Sequence, residues 1–299
     1  MMKKWLMMLG LMLWSSSLHA EPLKVTATFS ILGDIVRQIG GERVVVTEII
    51  HADTDAHVYR LTPKDIQTLR QSQLIIANGL GFESAEFNRA FQAAKVPFAV
   101  ATKNMKAMSL GNHEHAHEHS HHHHHHHTYD PHIWQDPVLM QTYVRNVADA
   151  LIAADPQGKN YYEQRLNHYS GSLKELHQYA QNRFSVIPEK QRKVLTSHQA
   201  FSYLGARYHI QFFAPQGIAE ESEPSAKDVA NIIRITKKEN VRAILMENIK
   251  NPKLLQQITR ETQVKVSGKL YSDALSHQNA NTYIKMMRHN IDTLADAMQ

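Results

Sequence analysis

Apolar and polar positions along the first hundred residues follow two interleaved rhythms. Leu23 to Phe29 reads as a strand, and Ser30 caps a helix through Ile39 that closes at Gly40-Gly41. Val44 to Ile50 is a nearly all-apolar run, the pattern of a strand buried on both faces. Thr62-Pro63 opens a helix to Arg70, with threonine as the cap and proline in the first turn. Leu74 to Ala77 is a third strand, ending at Asn78-Gly79-Leu80-Gly81-Phe82. A helix over Glu83 to Ala94 and a strand over Pro97 to Ala101 follow. Alternation of this kind predicts an α/β lobe built on a mainly parallel sheet.

The rhythm then changes. Asp136-Pro137 caps a helix through Ala153, and Asp155-Pro156 starts another. In the second, Tyr162, Leu166, Tyr169, Leu173, Leu176 and Ala180 recur at steps of four and three, one apolar stripe that runs until Pro188 forbids continuation. From Pro156 to Ile187 such a helix spans about 48 Å at 1.5 Å per residue, and it reads as a rigid strut between lobes. Beyond it the alternation resumes. Strands are predicted over Lys193 to Ser197, Ile210 to Ala214, Val241 to Met246 and Val264 to Leu270. Helices are predicted over His198 to Tyr208, Ser225 to Glu239, Pro252 to Glu261 and Asn279 to Met298. The expected organisation is a leader over 1–20, an α/β lobe over 21–155, a linking helix over 156–187 and a second α/β lobe over 188–299.

The leader reading rests on Lys3-Lys4, the short apolar run Trp5 to Trp14 and a terminal Ala20, the anatomy of a cleavable signal peptide. The apolar run is shorter than the roughly 20 residues a spanning helix needs. With no cysteine in the chain, neither disulfides nor lipid attachment through a cysteine is expected, and the periplasm is the expected compartment. Lys3 and Lys4 supply two of the +5 formal charges. No long basic stripe with interleaved aromatics remains, which argues against a nucleic-acid partner.

The densest chemistry is a histidine-rich loop over 112–127. Between His113 and His127, eleven of fifteen residues are histidine: His113, His115, His117, His119 and His121, His122, His123, His124, His125, His126, His127. A run inside the chain, interleaved with Glu114 and Glu118, reads as a natural auxiliary site that collects metal weakly rather than as a tag. His113-Glu114-His115-Ala116-His117 satisfies the zinc-protease pattern, but that chemistry needs a fixed helix with an apolar anchoring face. Low-complexity sequence offers none, and the protease reading is rejected.

Ligands in open α/β sheets bind beyond the carboxyl ends of strands. Four metal-type side chains stand there: His57, His132, His198 and Asp273. Two come from each half, so one ion could sit between the lobes. Three imidazoles and a carboxylate suit Zn2+ in near-tetrahedral geometry, whereas Mn2+ favours more oxygen ligands. Asp130 and Asp136 flank His132 and are candidates to orient its ring, with helix capping the competing role for Asp136. Asp273 could instead cap a turn. His51, His168, His177, His209 and His289 are assigned to surface or packing roles, and His277 stays open. Because neutral imidazoles bind metal, affinity is expected to fall as pH drops through about 6.5.

Six ordered motifs carry a resemblance: Asp55-x-His57-x-Tyr59 with Thr62-Pro63-x-Asp65; Asn78-Gly79-Leu80-Gly81-Phe82-Glu83; Asp130-Pro131-His132-Ile133-Trp134-Gln135-Asp136-Pro137; His198-Gln199-Ala200-Phe201-x-Tyr203; Glu221-Ser222-Glu223-Pro224-Ser225; and Tyr271-Ser272-Asp273-x-Leu275. Together the set resembles the periplasmic substrate-binding proteins of zinc and manganese ABC transporters, across essentially the whole chain after the leader. The resemblance implies two (β/α)4 lobes rigidly joined by a long backbone helix, with the metal in the inter-lobe cleft. It implies His57, His132, His198 and Asp273 as ligands, no enzymatic activity, and a monomer that delivers Zn2+ to the membrane permease of a metal importer. A periplasmic zinc chaperone is a further candidate partner. Manganese-type relatives often place Glu where this chain has His198, so the histidine points to zinc, as does the histidine-rich loop. The alternatives are a Mn2+-specific protein of the same family, a periplasmic zinc-buffering protein, and a zinc hydrolase, which would need an open coordination position and a nearby base.

Overall fold

The computed structural model describes residues 21–109, 129–218 and 224–299. The leader, the histidine-rich loop and the Glu221-Ser222-Glu223 part of one motif lie outside the described residues.

In the first lobe, β1 (Leu23–Phe29) runs into α1 (Ser30–Gly40), followed by β2 (Val44–Ile50), α2 (Pro63–Gln71), β3 (Leu74–Ala77), α3 (Ala85–Ala94) and β4 (Phe98–Val100). Its four strands lie in the order β2-β1-β3-β4, all parallel, with Leu23 opposite Val44, Val25 opposite Leu74 and Ile75 opposite Phe98. Thr62 and Asp65 close a reciprocal capping box at the start of α2, as Thr62-Pro63 led one to expect. One expectation fails. β2 is an edge strand, so its outer positions meet solvent and Val45 is 54% exposed. An apolar composition alone does not reveal which strand ends up at the edge.

Between the lobes come α4 (Met140–Ala154) and α5 (Lys159–Ser185). α5 has 27 residues, about 40 Å at 1.5 Å per residue, shorter than expected at both ends. Pro156–Gly158 forms a separate 3-10 turn, because Asp155 accepts from Gly158 N at 3.3 Å and is pinned by Arg43 at 2.8 Å. The expected stripe from Tyr162 to Ala180 is buried throughout and extends to Phe184. It packs on α4 and α1.

The second lobe repeats the first: β5 (Lys193–Leu195), α6 (Ser202–Tyr208), β6 (Gln211–Phe213), α7 (Ala226–Lys238), β7 (Ala243–Glu247), α8 (Lys253–Thr262), β8 (Val266–Leu270) and α9 (Tyr283–Met298). Its parallel sheet has the order β6-β5-β7-β8, matching the first. The helix expected from His198 begins only at Ser202, leaving His198 to Phe201 as irregular chain. Ser225 and Asp228 form a second capping box on α7.

A single buried cluster joins β1, α1, α4, α5 and α9 with the inner side of the second lobe. Trp134 sits fully buried in it, 5.0 Å ring to ring from both Phe29 and Phe82, and donates to Ser272 O at 2.8 Å. That bond ties the two lobes beside the cleft. The outer part of the second lobe has its own small core of Leu195, Ile232, Val241, Ile244, Leu255 and Ile258. Among the described residues, no helix is long and apolar enough to cross a membrane.

Candidate metal centre

Parallel strands end on one side of each sheet, and the two sheets present those ends to a common cleft. His57 sits in the loop after β2, and His132 precedes a 3-10 turn over Ile133–Gln135. His198 lies in the irregular stretch after β5, and Asp273 follows β8. The structure brings all four together, with one ligand-type atom from each lying within 4.8 Å of the others. Asp273 is the hub. Its Oδ2 is 3.2 Å from His57 Nε2 and 3.1 Å from His198 Nε2, while Oδ1 is 3.3 Å from His132 Nε2.

These atoms are buried, and none of the three Nε2 atoms or the two Asp273 oxygens makes a hydrogen bond. Five orphaned polar atoms converging on one point would be costly in a folded core. A divalent cation resolves the cost, since each atom then has a partner. The three Nε2 atoms and the Asp273 carboxylate, all within 4.8 Å of one another, are close enough together to surround a single ion.

Two of the imidazoles are braced from behind. Asp130 Oδ1 lies 2.8 Å from His132 Nδ1 and also accepts from His132 N at 2.9 Å. Glu247 Oε2 lies 2.6 Å from His198 Nδ1, and its Oε1 accepts from Ser197 N and His198 N at 2.8 and 3.0 Å. A carboxylate on Nδ1 fixes the ring and leaves Nε2 to face the ion. Asp130 was anticipated; Glu247 was missed. It ends β7 one residue beyond the predicted strand, so the strand-end rule that selected the other four applies to it equally. Asp136 turns out to be a cap: it accepts from Val138 N at 2.8 Å and pairs with Arg207 at 2.8 Å.

The electrostatics follow from burial and these carboxylates. Burial opposes the charge on His132 and His198, but Asp273 with Asp130 outweighs it at His132, raised to about 9. At His198, Glu247 and Asp273 do the same, raising it to about 10. Burial dominates at His57 and lowers it. Burial alone would raise Asp273, yet His198 and His132 hold it well below the usual carboxylate range.

Tyr203 fastens the base of the histidine-rich loop to the second lobe. Ser109 bridges to Tyr129, Met108 N donates to Tyr203 Oη at 2.9 Å, and that hydroxyl donates to Asp130 O at 2.8 Å. Ser109 and Tyr129, the last described residues on either side of the histidine-rich stretch, are thus held next to the Asp130 that braces His132. Of the histidines given surface or packing roles, His177 meets Tyr208 Oη at 3.0 Å and His289 Nε2 meets Lys269 O at 2.8 Å. His277 is exposed and lies outside the cluster.

Comparison with known proteins agrees with this geometry. The family model described as ZnuA, zinc-uptake complex component A, periplasmic, matches residues 25–297. The manganese-binding lipoprotein MntA of Halalkalibacterium halodurans is 28% identical over 285 residues, covering 95% of this chain and 91% of MntA. The iron-binding protein YfeA of Yersinia pestis is 29% identical over 279 residues, covering 92% and 86%. The solved structure of the periplasmic zinc binding protein TroA from Treponema pallidum superposes with a TM-score of 0.84 at 25% identity, covering 93% of this chain and 99% of that one. The chain belongs to the ZnuA family, the periplasmic proteins that bind a metal ion for an ABC importer and its membrane permease and that catalyse no reaction.

Proposed function

We propose that this protein captures Zn2+ through His57, His132, His198 and Asp273 and releases it to the permease. The observation that carries the reading is the convergence of three buried, unpartnered Nε2 atoms on one buried carboxylate. A nitrogen-rich set of this kind favours zinc over manganese. TroA, named as zinc binding, supports the same cargo. The histidine-rich loop gathers further zinc weakly beside the cleft, and a zinc chaperone would load the protein by the same route. The chain acts as a monomer, exported by its leader; some relatives are named as lipoproteins, and this sequence contains no cysteine.

Manganese is the second reading, favoured by one feature of the site. Both oxygens of Asp273 face the imidazoles, so the site offers five donor atoms, closer to the coordination number Mn2+ takes. The relative MntA is named as manganese-binding. Competitive titration of the mature protein with zinc and manganese, read by element analysis, separates the two. One tight zinc equivalent, lost in His132→Ala, is the expected result. Tighter manganese binding would change the cargo, and only weak multiple zinc sites would replace transport by buffering.

A further inference from the structure

His57 differs from its partners in how it is held. Asp130 and Glu247 brace His132 and His198 through Nδ1. Among the described residues, no carboxylate braces Nδ1 of His57, so its placement depends on the loop that carries it. That loop leaves an edge strand, runs without regular structure from His51 to Thr62, and belongs to the first lobe.

Its fastening comes from the second lobe. Lys250 Nζ donates to Asp55 Oδ2 at 2.7 Å, with the two side chains only 12% and 14% exposed. The other oxygen, Asp55 Oδ1, accepts from His57 N at 3.0 Å. Nearby, Asp53 N donates to Leu275 O at 2.8 Å, while Asp53 accepts from Asn248 Nδ2 at 3.2 Å and Ser276 Oγ at 3.1 Å. Asn248 and Lys250 follow directly on Glu247, which holds His198. Glu247 and Lys250, three residues apart at and just beyond the end of β7, thus position two imidazoles, one in each lobe. A cavity of about 920 Å3 borders the pair, lined in part by Asp55, Val58, Ser197 and Lys250.

Resting on the metal-capture reading, we propose that the Lys250–Asp55 pair is the latch that controls metal exchange, holding the His57 loop closed against the second lobe. Breaking the pair frees Asp55, the loop swings on its edge strand, and His57 leaves the ion first. His132, His198 and Asp273 stay in place because each is buried in a lobe. Lys250 touches no ion and acts through Asp55 as a positioning residue, setting how fast the ion leaves rather than how many ions bind.

The test is the rate at which a chelator removes zinc from the full mature protein, followed by stopped-flow. Lys250→Met and Asp55→Asn should each release the tightly held ion about tenfold faster, and the double variant no faster than either, as coupled partners require. Stoichiometry at the tight site should stay at one, and Lys250→Arg should retain slow release. Matched far-ultraviolet circular dichroism confirms that each variant is folded. Release from Lys250→Met within about twofold of the parent, or effects that multiply in the double variant, would overturn the latch alone. A parent protein with no slowly released zinc would overturn the capture reading, and the latch with it.

Discussion

Glu247 grips His198 at both ends of its residue, with Oε2 2.6 Å from the ring Nδ1 and Oε1 accepting from the backbone N at 3.0 Å. The side chain is buried, and His198 keeps its carboxyl ionised against the pull of burial. Ring orientation and backbone position are therefore set by one carboxylate. Glu247→Gln keeps the size but weakens both contacts, and metal affinity should fall by roughly 10- to 100-fold, as is usual when such a partner is lost. Competition against a chelator of known affinity checks this, and an unchanged constant would show that packing alone orients the ring.

The response to pH should be steeper than ordinary histidine titration implies. His132 and His198, raised from 6.5 to about 9 and about 10, hold protons at neutrality that a metal ion must displace. Affinity should then rise with pH well above 6.5, with close to two protons released per ion, rather than level off near that value as the sequence led us to expect. Calorimetry in buffers of different ionisation enthalpy counts these protons directly, and a count near zero at neutral pH contradicts the charged site.

Stability of the metal-free protein should move the other way. A group whose pKa is higher folded than unfolded stabilises fully below its unfolded value and ceases to do so as pH rises through its folded value. For His132 and His198 that means stability lost as pH climbs from 6.5 through about 9 and 10. Asp273, held low, contributes fully above its unfolded value of 3.8 and ceases to do so only as pH falls through its lower folded value. Melting temperature of the metal-free protein should therefore fall on the alkaline side, while the gain on adding zinc grows. Parallel melting curves with and without zinc test both trends.

Much of this was legible beforehand because periodicity marks where strands stop, and the cleft is made of strand ends. His57, His132, His198 and Asp273 could be chosen on that basis. Glu247 escaped because the predicted strand ended at Met246, one residue short. The edge position of β2 was invisible for another reason: Val44-Val45-Val46 reads the same whether one face or both are covered, and only pairing partners decide. The start of α5 was misplaced because Asp155 serves the 3-10 turn and Arg43 together, a contact 112 residues away in sequence.

Removing residues 112–127 should leave the tight site intact. Ser109 and Tyr129 already face each other across a bridge, so the shortened chain can close without disturbing Asp130. Total bound zinc should drop to a single equivalent by element analysis. Loss of that equivalent would make the histidine run part of the principal site.

Gly171 lies within α5, and a methyl group there would meet nothing within 4 Å. Gly171→Ala should stabilise the protein by about 0.5–1 kcal/mol through helix propensity, leaving metal affinity unchanged. Denaturant titration alongside zinc competition checks both halves of that statement.

The unequal footing of the second lobe has a mechanical meaning. α5 is embedded in the core shared by both lobes, whereas α7 and α8 rest on six buried side chains of their own. Thermal breathing concentrates where the fastening is thinnest, so amide protons of α7 and α8 should exchange well ahead of those in α5. The spine of the molecule stays still while one cheek of the cleft flexes, and that cheek carries Lys250 at its edge.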